Sequence, residues 1–428
     1  MDLDAFTELL TPRGQRALAE AGELTGKDPV AAATTLRKTY DAALTSAALT
    51  QAGLRERAKA KFGADAERMY FTPHGLEQST RAEVAEHRAR RLVALHHAGS
   101  PEATQAPRVV DACCGIGGDL LALARAGCTV TAVDTDPLTV AVARANVEAF
   151  GLGDAVTVTV GDAAEVEPEA YDVLFADPAR RTSRGRTFDP MAYSPPWPVV
   201  LDLAGRARLA CLKVAPGIPY EFIPEDAEAE WVSYKGEVKE AALWIGQGVG
   251  SRTPTPDGQT QGTDAQSQGA QGPGEEVRGP GRRATLLPGG HTLTATGVQA
   301  PAGPAGRYVY EPDGAAIRAH LVGEVTEMVN GRLLDPMIAY ITGDAPIDTP
   351  WASRYEIEEV MPFSLKRLRT ALRERQIGNV TIKKRGSAVD IERLRSDLRL
   401  NGKNSAVIIL TRIADKPSVL ICDTTPPA

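Results

Sequence analysis

The stretch Arg108–Asp136, R-V-V-D-A-C-C-G-I-G-G-D-L-L-A-L-A-R-A-G-C-T-V-T-A-V-D-T-D, decides the fold. Arg108–Cys113 is apolar and β-branched enough for a buried parallel strand. Gly115, Gly117 and Gly118 then make a tight turn. From Asp119 to Ala126, Leu120, Leu121, Leu123 and Ala124 recur at helical spacing, and Gly127 ends the helix. Thr129–Val133 is a second buried strand, closed by Asp134. A turn without side chains lets a ligand lie on the backbone beside a helix N-terminus, at the carboxyl end of the first strand. An acid ending the second strand can accept hydrogen bonds from a ribose diol.

Two ligand families use this geometry. A dinucleotide site wants G-x-G-x-x-G, and the third glycine position here is Leu120, which argues against it. What is present is an acid followed by G-x-G: Asp111, Gly115, Gly117. This pattern resembles motif I of the class I S-adenosylmethionine (SAM) methyltransferases. The resemblance implies that Asp111 lies near the amino-acid moiety of SAM, that Gly115 and Gly117 pass under the sulfonium, and that Asp134 holds the ribose, with Cys113 in the same turn as a further expected cofactor contact. Asp162, after the third strand Val156–Val160, takes the position that accepts from the adenine amino group.

Outward from this core, 428 residues predict two or three domains. No apolar run approaches the roughly 20 residues of a transmembrane helix, and the N-terminus lacks the basic and apolar regions of a signal peptide. The five cysteines show no metal or redox spacing and the six histidines are scattered, so no metal is expected, and a reduced cytoplasmic setting is. Net charge is −7, but 12 Lys and Arg face only 4 Asp and Glu between Phe363 and Lys403. That local excess of +8 leaves the rest of the chain at −15 and points to one surface with an anionic partner.

Residues 1–99 read as a helical module, with Ala31–Ala48 strongly helix-forming and Gln78–Leu95 placing Val84, Arg88, Arg91 and Leu92 along a helix. Gln78, Ser79 and Thr80 are candidates for a lid over the cofactor. The segment F-T-P…E-V-A-E-H-R-A-R-R-L ahead of V-D-A-C-C-G-I-G-G-D is similar to the arrangement in trimethylguanosine synthases and their bacterial relatives. Pro137–Phe150 reads as a helix, with proline in its first turn and Gly151 as its stop.

Tyr171–Ala176 is a fourth buried strand, ending in Asp177-Pro178-Ala179-Arg180. Its position matches motif IV of the family, where substrate meets methyl donor. Amino-methylating relatives carry [D/N/S]-P-P-[Y/F/W] there; this chain departs at Ala179 and Arg180 and looks closer to the D-P-P-R of some base-carbon RNA methyltransferases, without a matching cysteine nucleophile. Asp177, Pro178 and Arg180 are the expected catalytic positions. Asp177 could orient an amine or act as a base, and Arg180 could hold a phosphate. Arg181, Arg184 and Arg186 follow as candidate phosphate contacts. Ser194-Pro195-Pro196-Trp197 fits the motif literally but precedes a helix-like stretch, and reads as a loop outside the chemistry.

Leu209–Val214 is a fifth strand carrying Lys213. Trp231–Tyr234 and Ala241–Ile245 read as closing strands. Residues 247–283 are Gly-, Gln-, Thr- and Pro-rich and cannot bury a core, so a disordered insert is expected there, ahead of a hairpin at Ala284–Thr296. Ala315–Asn330 reads as one helix. Beyond Pro304 an α+β alternation resembles the THUMP-like domain that follows such methyltransferase domains, which implies binding of structured RNA. Lys383, Lys384 and Arg385, in a turn between strand and helix, are its candidate phosphate donors.

The expected architecture is therefore α/β: a Rossmann-like class I methyltransferase sheet over 100–300, an N-terminal helical module over 1–99 and a C-terminal α+β THUMP-like domain over 304–428. The expected function is SAM-dependent methylation of a nucleobase in RNA, structured rRNA or tRNA. The alternatives are a protein or small-molecule acceptor, or a non-catalytic RNA-binding protein that keeps the fold.

Overall fold

A computed structural model of the chain describes all residues except 101, 103, 104, 180, 183, 184, 187, 188, 250–280 and 424–428, and describes 181, 182, 185 and 186 by backbone alone. Most of the expected insert thus lies outside the described residues, as do Arg180 and Arg184. The chain forms two compact units, Met1–Glu228 with Ala241–Pro280, and Ala229–Glu240 with Gly281–Ala428. Sequence reasoning grouped 281–300 with the SAM domain; the units divide at Gly281 instead.

The first unit begins with six helices: α1 (Leu3–Leu9), α2 (Pro12–Glu23), α3 (Pro29–Leu36), α4 (Ala42–Phe62), α5 (Pro73–Gln78) and α6 (Ala82–Gly99). Capping sets these boundaries. The Asp41 side chain accepts from the Leu44 N–H and starts α4, so the helix-forming stretch Ala31–Ala48 is shared between α3 and α4. Gln78–Leu95 is also interrupted. Lys61 Nζ donates to the carbonyls of Leu76 (2.7 Å), Glu77 (2.9 Å) and Ser79 (2.8 Å), which ends α5 and leaves Ser79–Arg81 extended before α6.

A parallel sheet follows: β1 (Arg108–Asp111), α7 (Gly118–Arg125), β2 (Thr129–Asp134), α8 (Pro137–Ala149), β3 (Val156–Val160), β4 (Val173–Ala176), a two-stranded ladder of β5 (Arg181–Thr182) and β6 (Gly185–Arg186), α9 (Trp197–Arg206) and β7 (Leu209–Val214). β8 (Glu228–Tyr234) leads through a turn into β9 (Glu237–Gly246), whose second half, Ala241–Gly246, pairs antiparallel with β7. The order in this unit is β9-β7-β4-β1-β2-β3. From β1 the chain winds first toward β3 and then, from β4, the other way. Such a reversal opens a crevice at the carboxyl ends of β1 and β4, where ligands bind in open α/β sheets. The N-terminal helices share one apolar core with α7, α8 and a face of the sheet, from Phe6, Leu44 and Phe71 through Leu120 and Val142 to Val109 and Trp244. α9 packs against β4 and β7.

In the second unit β8 pairs with β10 (Gly281–Leu287), which forms a hairpin with β11 (His291–Thr294). Then come β12 (Tyr308–Pro312), α10 (Gly314–Arg318), α11 (Val322–Met328), β13 (Arg332–Asp335), β14 (Ile338–Gly343), β15 (Ala352–Pro362), α12 (Leu365–Glu374), β16 (Ile377–Lys384), α13 (Ile391–Leu398), β17 (Asn404–Ile413) and β18 (Lys416–Cys422). The single helix expected over Ala315–Asn330 is two, parted where His320 takes a left-handed φ of +54°. The seven-stranded sheet runs β13-β14-β12-β15-β18-β17-β16, with only β16 and β17 parallel. α12 and α13 share a core with one face of it, through Leu368, Leu372, Leu394 and Leu398 against Val380, Ile408 and Leu410.

Candidate active site

A cavity of about 390 Å³ opens at the carboxyl ends of β1 and β4, a volume in the range of small-molecule sites. Asp111, Cys113, Gly115, Asp134, Asp162, Asp177 and Pro178 all line it, together with Gln78, Ser79 and Thr80. Gly117 stands behind the lining as the residue that caps α7, with φ +89°. Gly115 has φ +53°, and a Cβ there would meet nothing within 4 Å. The turn is shaped by glycine conformation and leaves open space over its backbone. Its position is held from both sides. Asp134 Oδ2 accepts from the Gly115 N–H (3.0 Å), and Asn146 Nδ2 donates to the Ile116 carbonyl (2.8 Å).

The electrostatics are strongly acidic. Asp111 is fully buried; its Oδ1 accepts from the Cys113 N–H (3.3 Å), while Oδ2 has no hydrogen-bond partner among the described residues. Burial, then the charges of Asp119, Asp177 and Asp134, push its carboxyl well above the usual range. Burial also raises Asp134, partly offset by the N–H groups of Asp136 and Gly115. An orphaned carboxylate oxygen among further carboxylates calls for a cationic ligand group. The ammonium and sulfonium of SAM, laid over a bare glycine turn, fit that demand. Burial and Asp111 drive the Cys113 thiol well above its ordinary value, so it stands as a neutral thiol and not as a nucleophile.

Sequence reasoning missed the charges that support Asp177. Lys213 sits in β7, where every residue is buried, and pairs with Asp177 Oδ2. Its Nζ lies 3.9 Å from Asp119 Oδ2. Asp119, at the start of α7, accepts from Thr80 Oγ1 (2.8 Å) and pairs with Arg88 of α6. Burial alone would raise Asp119, but Arg88 and Lys213 outweigh it and hold the carboxyl below its usual value. The signal available in sequence was Lys213 itself, since a lysine inside an all-buried strand requires a partner.

Ser194, Pro195 and Pro196 form the expected loop and helix start ahead of α9, and they also line the cavity. Ala179 and Ser194 exchange backbone hydrogen bonds of 2.9 and 3.0 Å, bringing S-P-P beside D-P-A. Trp197 does not reach the cavity as a stacking ring. It is buried and donates to the Phe222 carbonyl (3.2 Å). Arg181 and Arg186 face each other across the small ladder, with their side chains outside the described residues.

Lys383, Lys384 and Arg385 belong to the second unit. Lys383 pairs with Glu311, Lys384 Nζ donates to the Val389 carbonyl (3.0 Å), and Arg385 lies 3.9 Å from Glu311. All three thus have partners within their own unit, and Lys384 is exposed.

An S-adenosylmethionine-dependent methyltransferase of Mycobacterium tuberculosis, itself uncharacterized, is 35% identical over 377 residues, covering 84% of this chain and 90% of the relative. The chain belongs to the S-adenosylmethionine-dependent methyltransferases. Residues 106–200 match a family model described as RNA cap guanine-N2 methyltransferase, 352–424 match a THUMP domain-like model, and 2–58 match a domain of unknown function. An uncharacterized RNA methyltransferase of Parasynechococcus marenigrum is 29% identical over 173 residues, 37% of each chain. A crystal structure from Porphyromonas gingivalis W83, described there as a candidate methyltransferase, superposes with a TM-score of 0.71 at 20% identity over 95% of this chain and 98% of that one, and shares its fold. The methyltransferase uses SAM as its methyl donor, on an α/β sheet followed by a THUMP-like domain. Among the described residues no helix is long and apolar enough to cross a membrane.

Proposed function

We propose that this methyltransferase modifies a nucleobase amino group in structured RNA. The observation that carries the reading is Asp177. It ends β4 on the cavity wall with Oδ2 held by Lys213, and Oδ1 has no partner among the described residues. A fixed carboxylate with one oxygen left over suits an acceptor N–H. When bound, SAM supplies a methyl group already activated on a sulfonium. The protein's part is placement, since in-line positioning can supply much of the rate. Asp111 receives the ammonium, the Gly115 backbone passes under the donor, Asp134 accepts from the ribose and Asp162 from the adenine amino group. Asp177 and the Pro178 backbone orient the acceptor nitrogen.

Support for RNA comes from the second unit. Lys366, Arg367 and Arg373 are exposed on α12 and make no ion pair among the described residues, within the region similar to a THUMP domain. They add a second set of candidate phosphate contacts to Lys383–Arg385. The RNA methyltransferases among the similar families and relatives point the same way. The free cysteines suit a reducing cytoplasm, and the catalytic domain lies within the first unit, with the helical module 1–99 ahead of it.

The test is transfer of labelled methyl from SAM into the RNA, protein and small-molecule fractions of cells lacking the gene. Label in RNA, lost with Asp177→Ala, is the expected result. Label only in protein or small molecules overturns the acceptor; full activity of Asp177→Ala overturns the role of that residue.

A further inference from the structure

We propose that Lys213 is a positioning residue that acts on methyl transfer through Asp177. The inference rests on the reading of Asp177 as the group that meets the acceptor. Lys213 is 3% exposed, in a strand with no exposed residue. An ammonium buried this deeply loses its hydration, and its place in the fold makes sense only through the partners it holds. Those partners are Asp177 on one side and Asp119 on the other. Asp119 does not drift, because Thr80 and Arg88 hold both of its oxygens. Arg88 is itself seated over the ring of Phe175, 5.3 Å from its centroid, in the same strand β4 that Asp177 ends.

The row Arg88–Asp119–Lys213–Asp177 therefore runs from the N-terminal helices to the cavity wall. Its last link decides which carboxylate oxygen of Asp177 is occupied and which is left for the acceptor. Without Lys213, the carboxylates of Asp111, Asp119, Asp134 and Asp177 would share the cavity with Arg88 as the one cation of the row, and Asp177 would lose its fixed orientation. Lys213 touches neither acceptor nor donor in this account. It works by holding a residue that does.

The experiment uses full-length protein, with unfractionated extract of cells lacking the gene as acceptor, so that it holds whichever molecule class carries the acceptor group. Initial rates are measured for wild type, Lys213→Met, Asp177→Asn and the double variant. A misplaced reacting group costs about 100-fold, so Lys213→Met is expected to lower kcat by about that factor. Its apparent KM for SAM stays within about threefold, and the double variant is no slower than the slower single one. Lys213→Gln, which can still donate to Asp177, is expected to fall between wild type and Lys213→Met, and serves in its place if the methionine variant fails to fold. Losses that multiply in the double variant, or a wild-type rate in the Lys213 variants, overturn this inference alone. A wild-type rate in Asp177→Asn overturns the reading of Asp177 and this inference with it.

Discussion

Asn146 and Tyr70 exchange two hydrogen bonds through the first unit's interior: the Tyr70 N–H donates to Asn146 Oδ1 (2.6 Å), and Asn146 Nδ2 donates to the Tyr70 carbonyl (3.0 Å). The same Nδ2 also holds the carbonyl of Ile116, inside the glycine turn. One fully buried amide thus binds the N-terminal module to the loop on which the SAM site is proposed.

Asn146→Ala leaves buried backbone groups of Tyr70 and Ile116 unmet. There are three such groups, and each costs about 1–3 kcal/mol, so a loss of about 3–9 kcal/mol in unfolding free energy is expected, with weaker SAM binding in what remains folded. Urea unfolding and calorimetry measure both. A loss confined to stability, with SAM affinity unchanged, would show that the amide supports the module and not the turn.

Asp111 links pH to binding. Its raised carboxyl holds a proton more firmly in the free protein than in the unfolded chain, so its contribution to stability is present below the unfolded carboxylate value and is lost as pH rises through the raised folded one. A cation bound beside it favours the ionised form. SAM affinity should therefore rise with pH and binding should release protons, visible as a dependence of calorimetric heat on buffer ionisation. Asp111→Asn should stabilise the ligand-free protein at pH 8 and weaken SAM by about 10- to 100-fold, the worth of a charge-assisted hydrogen bond. Unchanged affinity in Asp111→Asn would contradict the assignment.

Lys61 closes α5 and fixes the backbone leading to Thr80 on the cavity wall. Lys61→Met should speed amide exchange across residues 73–82 and weaken SAM by about tenfold, with a melting temperature within a few degrees of wild type because the segment opens locally. Exchange as slow as in wild type would mean that other contacts hold this wall.

Lys366→Glu, Arg367→Glu and Arg373→Glu together should weaken RNA binding and flatten its salt dependence by about two to three in the logarithmic slope, one for each phosphate that is no longer neutralised. Folding should be untouched, since all three side chains are exposed. An unaltered slope would place the phosphate-binding face elsewhere.

Sequence reasoning reached the strand–turn–helix–strand core because each local choice agrees there: β-branched strands, glycines at φ of +53° and +89°, and an aspartate ending β2. It named Asp111, Asp134, Asp162 and Asp177, which line the cavity, but not Asp119 or Glu77, which line it too. It missed what depends on long-range pairing. Arg88, Asp119, Lys213 and Asp177 are spread over 126 positions of the chain and meet only after the sheet forms. The breaks at Ser79–Arg81 and at His320 are likewise set by tertiary contacts and a single left-handed residue, neither of which alters apolar spacing. Nor does charge in a sequence reveal that Glu311, more than 70 positions away, pairs with Lys383.

The central claim is that this methyltransferase modifies a nucleobase in RNA. It is tested most directly by nucleoside mass spectrometry of rRNA and tRNA from cells with and without the gene. The account predicts one amino-methylated nucleoside that disappears with the gene and returns with the wild-type chain but not with Asp177→Ala. Identical nucleoside profiles in the two strains would contradict it.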